Sequence, residues 1–173
     1  IRKRQGYNVH SHFAFTMLTE VVYNDGYFGK YVQLYRETLG TPWTEKDLRL
    51  CFRLANHLQV KRAGLKGDER LLRDLRTATQ LACEACNCEA KEKIDCLVLT
   101  DIPTPEEWAE WQEKLDATTF VVLTDISSSA PRRKAWKRLL QEESIRQSYD
   151  LAYFGFLVLD TRFYKEDYIV NYV

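Results

Sequence analysis

Apolar positions in the first half of the chain recur at intervals of three and four, and in the second half they bunch into short continuous runs. Residues 10–24 (HSHFAFTMLTEVVYN) carry Phe13, Met17 and Val21 on one helical face with Leu18 and Val22 beside it. Asp25-Gly26 ends that stripe, where a glycine can take a left-handed cap. A shorter helix is predicted over 28–39, stopping at Gly40. Thr44, with Asp47 where a capping box usually has Glu or Gln, then opens a helix whose buried face is Leu48, Cys51, Leu54, Ala55 and Leu58. GLKGDE breaks the chain, and Asp68 caps a fourth helix reaching about Cys86, with Leu71, Leu72, Leu75, Thr79 and Ala82 toward the core.

From residue 94 the period changes. IDCLVLT and TTFVVLT are continuous apolar runs of strand length, as expected of strands covered on both faces. Between them Thr104, Pro105, Glu106 and Glu107 form a helix start with acids suited to the dipole. SSSAPRRKAWKRLLQEESIRQ reads as another helix, and LAYFGFLVLD and EDYIVNYV as two further strands. Strand and helix alternating at this spacing imply parallel strands with right-handed crossovers. The last strand follows its predecessor too closely for a crossover, which predicts an antiparallel edge or hairpin strand. The expected fold is therefore α/β (α+β overall). A bundle of about four helices over 1–90 packs on a βαβαββ, mostly parallel sheet over 91–173, as one compact unit sharing a core.

Three of the apolar runs stop on an aspartate: LVLTD at Asp101, VVLTD at Asp125 and LVLD at Asp160. Parallel strands present their carboxyl ends on one rim, where open α/β folds place ligands. Neighbouring aspartates there would have Cα atoms about 5 Å apart, and would repel unless a cation such as Mg²⁺ or Mn²⁺ joined them. Asp101, Asp125 and Asp160 are thus candidate ligands of a metal-dependent phosphoesterase or nuclease. The alternative is ordinary turn and cap chemistry, since aspartate side chains bond nearby backbone amides where a strand ends.

Composition narrows the classes. With 173 residues, 45% of them hydrophobic, the chain can bury a core without staples. Its 25 basic and 25 acidic residues cancel, so no net field favours nucleic acid or an anionic membrane. No apolar run approaches the roughly 20 residues that span a bilayer, so no membrane is expected as a partner. The first residue is not Met, as in a piece of a longer protein. Five cysteines, an odd count, suit reduced thiols or metal better than a secreted disulfide scaffold, so the expected location is inside the cell, in cytoplasm or nucleus. Cys83, Cys86, Cys88 and Cys96 are candidate ligands of a structural Zn²⁺, with inert packing as the alternative. His10 and His12 form an HxH pair at the entrance to a helix, and His57 lies within one.

The string RRKAWKR is the most partner-like feature. Arg132, Arg133 and Lys134 fall in the first turn of their helix, where positive charge opposes the macrodipole, so helix stability alone does not account for them. They could answer Glu106 and Glu107 or reach a phosphate, with Trp136 as a stacking platform and Lys137 alongside; nucleic acid is then a candidate partner. NDGYFGKYVQLY and FYKEDYIVNY are Tyr-rich, a composition suited to a protein partner or to self-association. The terminal strand, if uncovered, would invite strand addition or a dimer. The chain shows no nucleophile with its base and no phosphate loop, so the functional expectation is a non-catalytic protein-interaction or assembly module. The metal-dependent phosphoesterase is the alternative.

Overall fold

The computed structural model describes residues 2–3, 11–24, 26 and 28–172. Ser11 caps the first helix, α1 (His12–Thr16), by accepting from the Ala14 amide at 3.3 Å. The helix widens directly into a π-helical segment, Met17–Val22, so the single helix expected over 10–24 is shorter and changes pitch. α2 (Tyr31–Glu37) is likewise shorter than the 28–39 expected. α3 (Glu45–Leu58) begins on Thr44 and Asp47, which form both halves of the expected capping box. It ends on Gln59 in the left-handed region. α4 (Glu69–Ala82) is capped by Asp68 and stops four residues before Cys86.

One sheet takes strands from both halves of the chain. Its order is β1 (Arg2–Lys3), β7 (Glu166–Val170), β5 (Gln147–Leu151), β6 (Phe154–Val158), β4 (Leu115–Leu123), β3 (Ile94–Leu99), β2 (Ala63–Lys66). β2, β3 and β4 pair in parallel, as do β5, β7 and β1. β6 lies antiparallel to both of its neighbours, β4 and β5, so those two run the same way. The mostly parallel α/β fold is therefore as expected. α5 (Pro105–Gln112) and α6 (Ala130–Leu139) connect β3 to β4 and β4 to β5.

Four strands, β2, β5, β6 and β7, differ from the sequence reading. β2 was hidden because its four residues, AGLK, carry no apolar period; at Gly64 the strand passes close to β3, a Cβ there standing 2.9 Å from Ile94 Cδ1. LAYFGFLVLD is not one parallel strand. The chain turns at Ala152 and Tyr153, Ala152 taking φ 70°, and the apolar residues that follow form the reversed strand β6. The true third parallel strand is β5, QSYDL, whose Gln147, Ser148 and Asp150 are buried polar residues that obscure an apolar run. The last strand, β7, is parallel rather than antiparallel, and lies between β5 and β1 rather than at the edge.

Two cores flank the sheet. The larger joins α1 to α4 with one face, through residues such as Leu18, Phe52, Leu75, Val122 and Tyr149. The smaller joins α5 and α6 to the other face through Trp108, Trp136, Leu97, Leu123 and Leu157. After α4 the chain runs along the outer side of β2, where the Ala63 amide donates to Asn87 O and Ala63 O accepts from Ala90, so part of that edge is satisfied.

Candidate functional site at the carboxyl rim of the sheet

β3, β4 and β5 end on one rim, and α6 starts there. Asp101 and Asp125 follow the first two strands and Asp150 is the penultimate residue of the third. Arg132, in the first turn of α6, binds across the strand ends. Its Nε donates to Asp125 O at 2.5 Å and lies 3.1 Å from Asp125 Oδ2. Nη1 reaches Asp101 Oδ1 at 3.3 Å, and Nη2 donates to Thr100 O at 2.7 Å. Asp125 itself sits at φ 55°, a left-handed turn that aspartate tolerates. Next to it, Arg133 Nη1 meets Asp150 Oδ2 at 2.5 Å, while Asp150 Oδ1 accepts from the Ala152 amide at 3.0 Å. The carboxylates and carbonyls of the rim thus offset the cost of placing two arginines at the positive end of a helix dipole. They are not answered by Glu106 or Glu107.

Asp160 does not belong to this site. Because β6 is reversed, the residue that follows it lies at the opposite end of the parallel strands, paired with Arg162 (Nη2 to Oδ2, 2.6 Å). That guanidinium holds the Asp160 carboxyl below the usual carboxylate range against the opposing effect of burial. Asp150 takes the third rim position instead, a residue that the sequence reading missed because its strand was too polar to stand out.

The basic string divides by depth. Trp136 is 1% exposed and packs against Gly155 and Ile126, so it is core rather than a stacking platform. Arg132 and Arg133 are tied to the rim as above, and Arg138 donates to Pro103 O at 2.5 Å. Lys134 and Lys137 remain on the exposed face.

The cysteines do not assemble a zinc site: among the described residues no group of three His, Cys, Asp or Glu side chains could hold a metal ion. Cys86 and Cys88 lie with their sulfurs 3.8 Å apart, but Cys83 donates to Ala55 O, and Cys96 is buried in the interior of β3. Burial pushes the Cys88 and Cys96 thiols up to about 12 and raises Cys83 and Cys86 as well, which favours the protonated thiol in all four at neutral pH. All five cysteines are free. His12 begins α1 and His57 is exposed on α3, while His10 lies outside the described residues. The Tyr-rich segments mostly serve the core, through Tyr31 and Tyr168; Tyr164, 88% exposed, is the exception in the second segment.

No helix among the described residues is long and apolar enough to cross a membrane. The chain matches no protein-family model and no curated protein.

Proposed function

We propose that the protein is a non-catalytic interaction and assembly module whose partner is another protein or a second copy of itself. The observation that carries this reading is the pairing at the rim. Asp101 and Asp125 share Arg132, and Asp150 takes Arg133. The aspartates at the edge where open α/β folds place reactive ligands are thereby engaged in ion pairs with arginine. The two described histidines stand in α1 and α3, in the helices of the larger core, and supply no base there. Val32 and Leu39, seven residues apart at α2 and just beyond it, are exposed and offer an apolar contact. A formal charge of zero sets up little long-range repulsion between copies. On α6, nucleic acid would meet Lys134 and Lys137 without a stacking ring, which favours a protein partner. The phosphoesterase alternative would require Asp101 and Asp125 to release Arg132 before a metal could join them.

The test combines thermal melts of the full chain in Mg²⁺, Mn²⁺, Zn²⁺ and EDTA with an assay of phosphodiester hydrolysis and sedimentation across a wide concentration range. The expected result is an unmoved melting temperature, no turnover, and self-association weakened by Val32→Glu with Leu39→Glu. Metal-dependent hydrolysis that disappears in Asp101→Asn would overturn the reading.

A further inference from the structure

On the other face of the sheet from α6, a cleft of about 440 Å³ opens between the end of the π-helical segment, the first half of α3 and the chain just beyond β7. Arg53, Arg49, Lys46, Glu45 and Tyr172 line it. Arg53 is only 6% exposed, and its guanidinium is held in place. Nε donates to Val21 O at 2.6 Å, Nη2 donates to Val22 O at 3.3 Å, and Nη1 stands 3.5 Å from the Tyr31 hydroxyl. These carbonyls end the π-helical segment, so they solvate the cation without neutralising it. Among the described residues no carboxylate lies within ion-pairing distance of Arg53 or of Lys46, whose ammonium sits 4.2 Å from the Tyr172 ring centre. Arg49 lies 5.2 and 5.3 Å from the Tyr31 and Tyr35 ring centres and donates to the Tyr35 hydroxyl. Its contact with Glu45 is 3.5 Å long. The nearby Asp47 is engaged in the cap, its Oδ2 accepting from the Thr44 amide and hydroxyl.

Three cations therefore line a concave site whose lining holds one carboxylate, Glu45, with Asp47 engaged in the helix cap beside it, so positive charge is in excess. A buried cation without a countercharge is costly, and a dianion entering the cleft would remove that cost. We propose that this cleft binds a phosphate monoester. Such an ester carries roughly −1.5 to −2 at pH 7, opposite in sign to the excess, and its oxygens accept from arginine and lysine donors in short charge-assisted bonds. A cleft of about 440 Å³ leaves room for the organic part of the ester beside the Tyr172 ring. The site is separate from the rim and from the apolar surface of α2, so it stands or falls independently of the interaction reading.

The test is calorimetry and thermal melting of the full chain with β-glycerophosphate as probe, malonate as a second dianion, and NaCl at matched ionic strength. The melting temperature should rise with the logarithm of β-glycerophosphate concentration and respond less to malonate. Lys46→Gln and Arg49→Gln should each weaken the apparent affinity about tenfold, the loss of one charge-assisted bond, whereas Lys134→Gln should leave it unchanged. These two partly exposed positions are chosen because Arg53→Met, at a buried site, could fail to fold. A response no larger than that to NaCl, an equal response to malonate, or an affinity indifferent to Lys46→Gln and Arg49→Gln would each overturn the proposal.

Discussion

Arg132 reaches oxygens on four residues that belong to two strand ends: the Thr100, Thr124 and Asp125 carbonyls and the Asp101 and Asp125 carboxylates. Its removal leaves a half-buried carboxylate and strand-end carbonyls without their donor. Arg132→Ala should therefore cost about 2–3 kcal/mol of unfolding free energy, with Arg132→Lys recovering only part, because an ammonium cannot span the same fork. Urea titrations measure this; a loss below about 0.5 kcal/mol, the range of ordinary surface changes, would contradict the tie described at the rim. Asp160 gives a prediction in pH. Arg162 depresses its folded pKa, so the stabilisation is present above the unfolded value and is lost as pH falls through the folded one. Arg162→Gln should lower stability at neutral pH and flatten its decline on acidification. Equal acid slopes in the two proteins would show that the pair contributes nothing.

At the scale of elements, caps and close approaches set the boundaries. Thr104 and Glu107 form the reciprocal cap of α5, the Thr104 hydroxyl accepting from the Glu107 amide at 3.2 Å and a Glu107 carboxylate oxygen accepting from the Thr104 amide at 2.9 Å. Thr104→Ala should cost about 1 kcal/mol, read from the shift in denaturation midpoint. β6 and α6 meet at Gly155, where a Cβ would stand 2.6 Å from the Trp136 ring and 3.0 Å from Ile126. Gly155→Ala should destabilise by about 1–3 kcal/mol through overpacking. A neutral outcome would mean that α6 can move away from the sheet at little cost. Helix starts were legible because apolar spacing and caps are local signals: Thr44, Asp68 and Thr104 all cap where expected. β2 and β5 were not, because one is four residues long and the other buries Gln147, Ser148 and Asp150 through partners elsewhere in the chain, Ser148 donating to Asp167 at 2.6 Å.

For the whole molecule, the sheet is the unit that joins the halves. β2 comes from between α3 and α4, yet pairs with β3 along its full length, and Trp43 of the helical half packs on Phe154 of β6 with ring centres 5.4 Å apart. Unfolding should therefore be a single transition, with the tryptophan signal, dominated by Trp108, Trp111 and Trp136, coinciding with loss of helix by far-ultraviolet circular dichroism. Two separated transitions would show instead that the helices and the sheet fold as distinct units.

Local pattern was enough to place α3 and α4 with their caps, the presence of shorter helices before them and the apolar strands after residue 94, since each depends on neighbours within a turn or two. It also marked Asp101, Asp125 and Arg132 as residues to watch. Strand direction and order lay beyond it, because a run such as FGFLVLD reads the same in either direction. The tight turn at Ala152 and Tyr153 reversed β6, moved Asp160 to the far rim and left Asp150 beside Arg133. Burial of Trp136 and the gathering of Lys46, Arg49 and Arg53 around one cleft were decided in the same way, by which face each residue turned toward a distant segment once the sheet had closed.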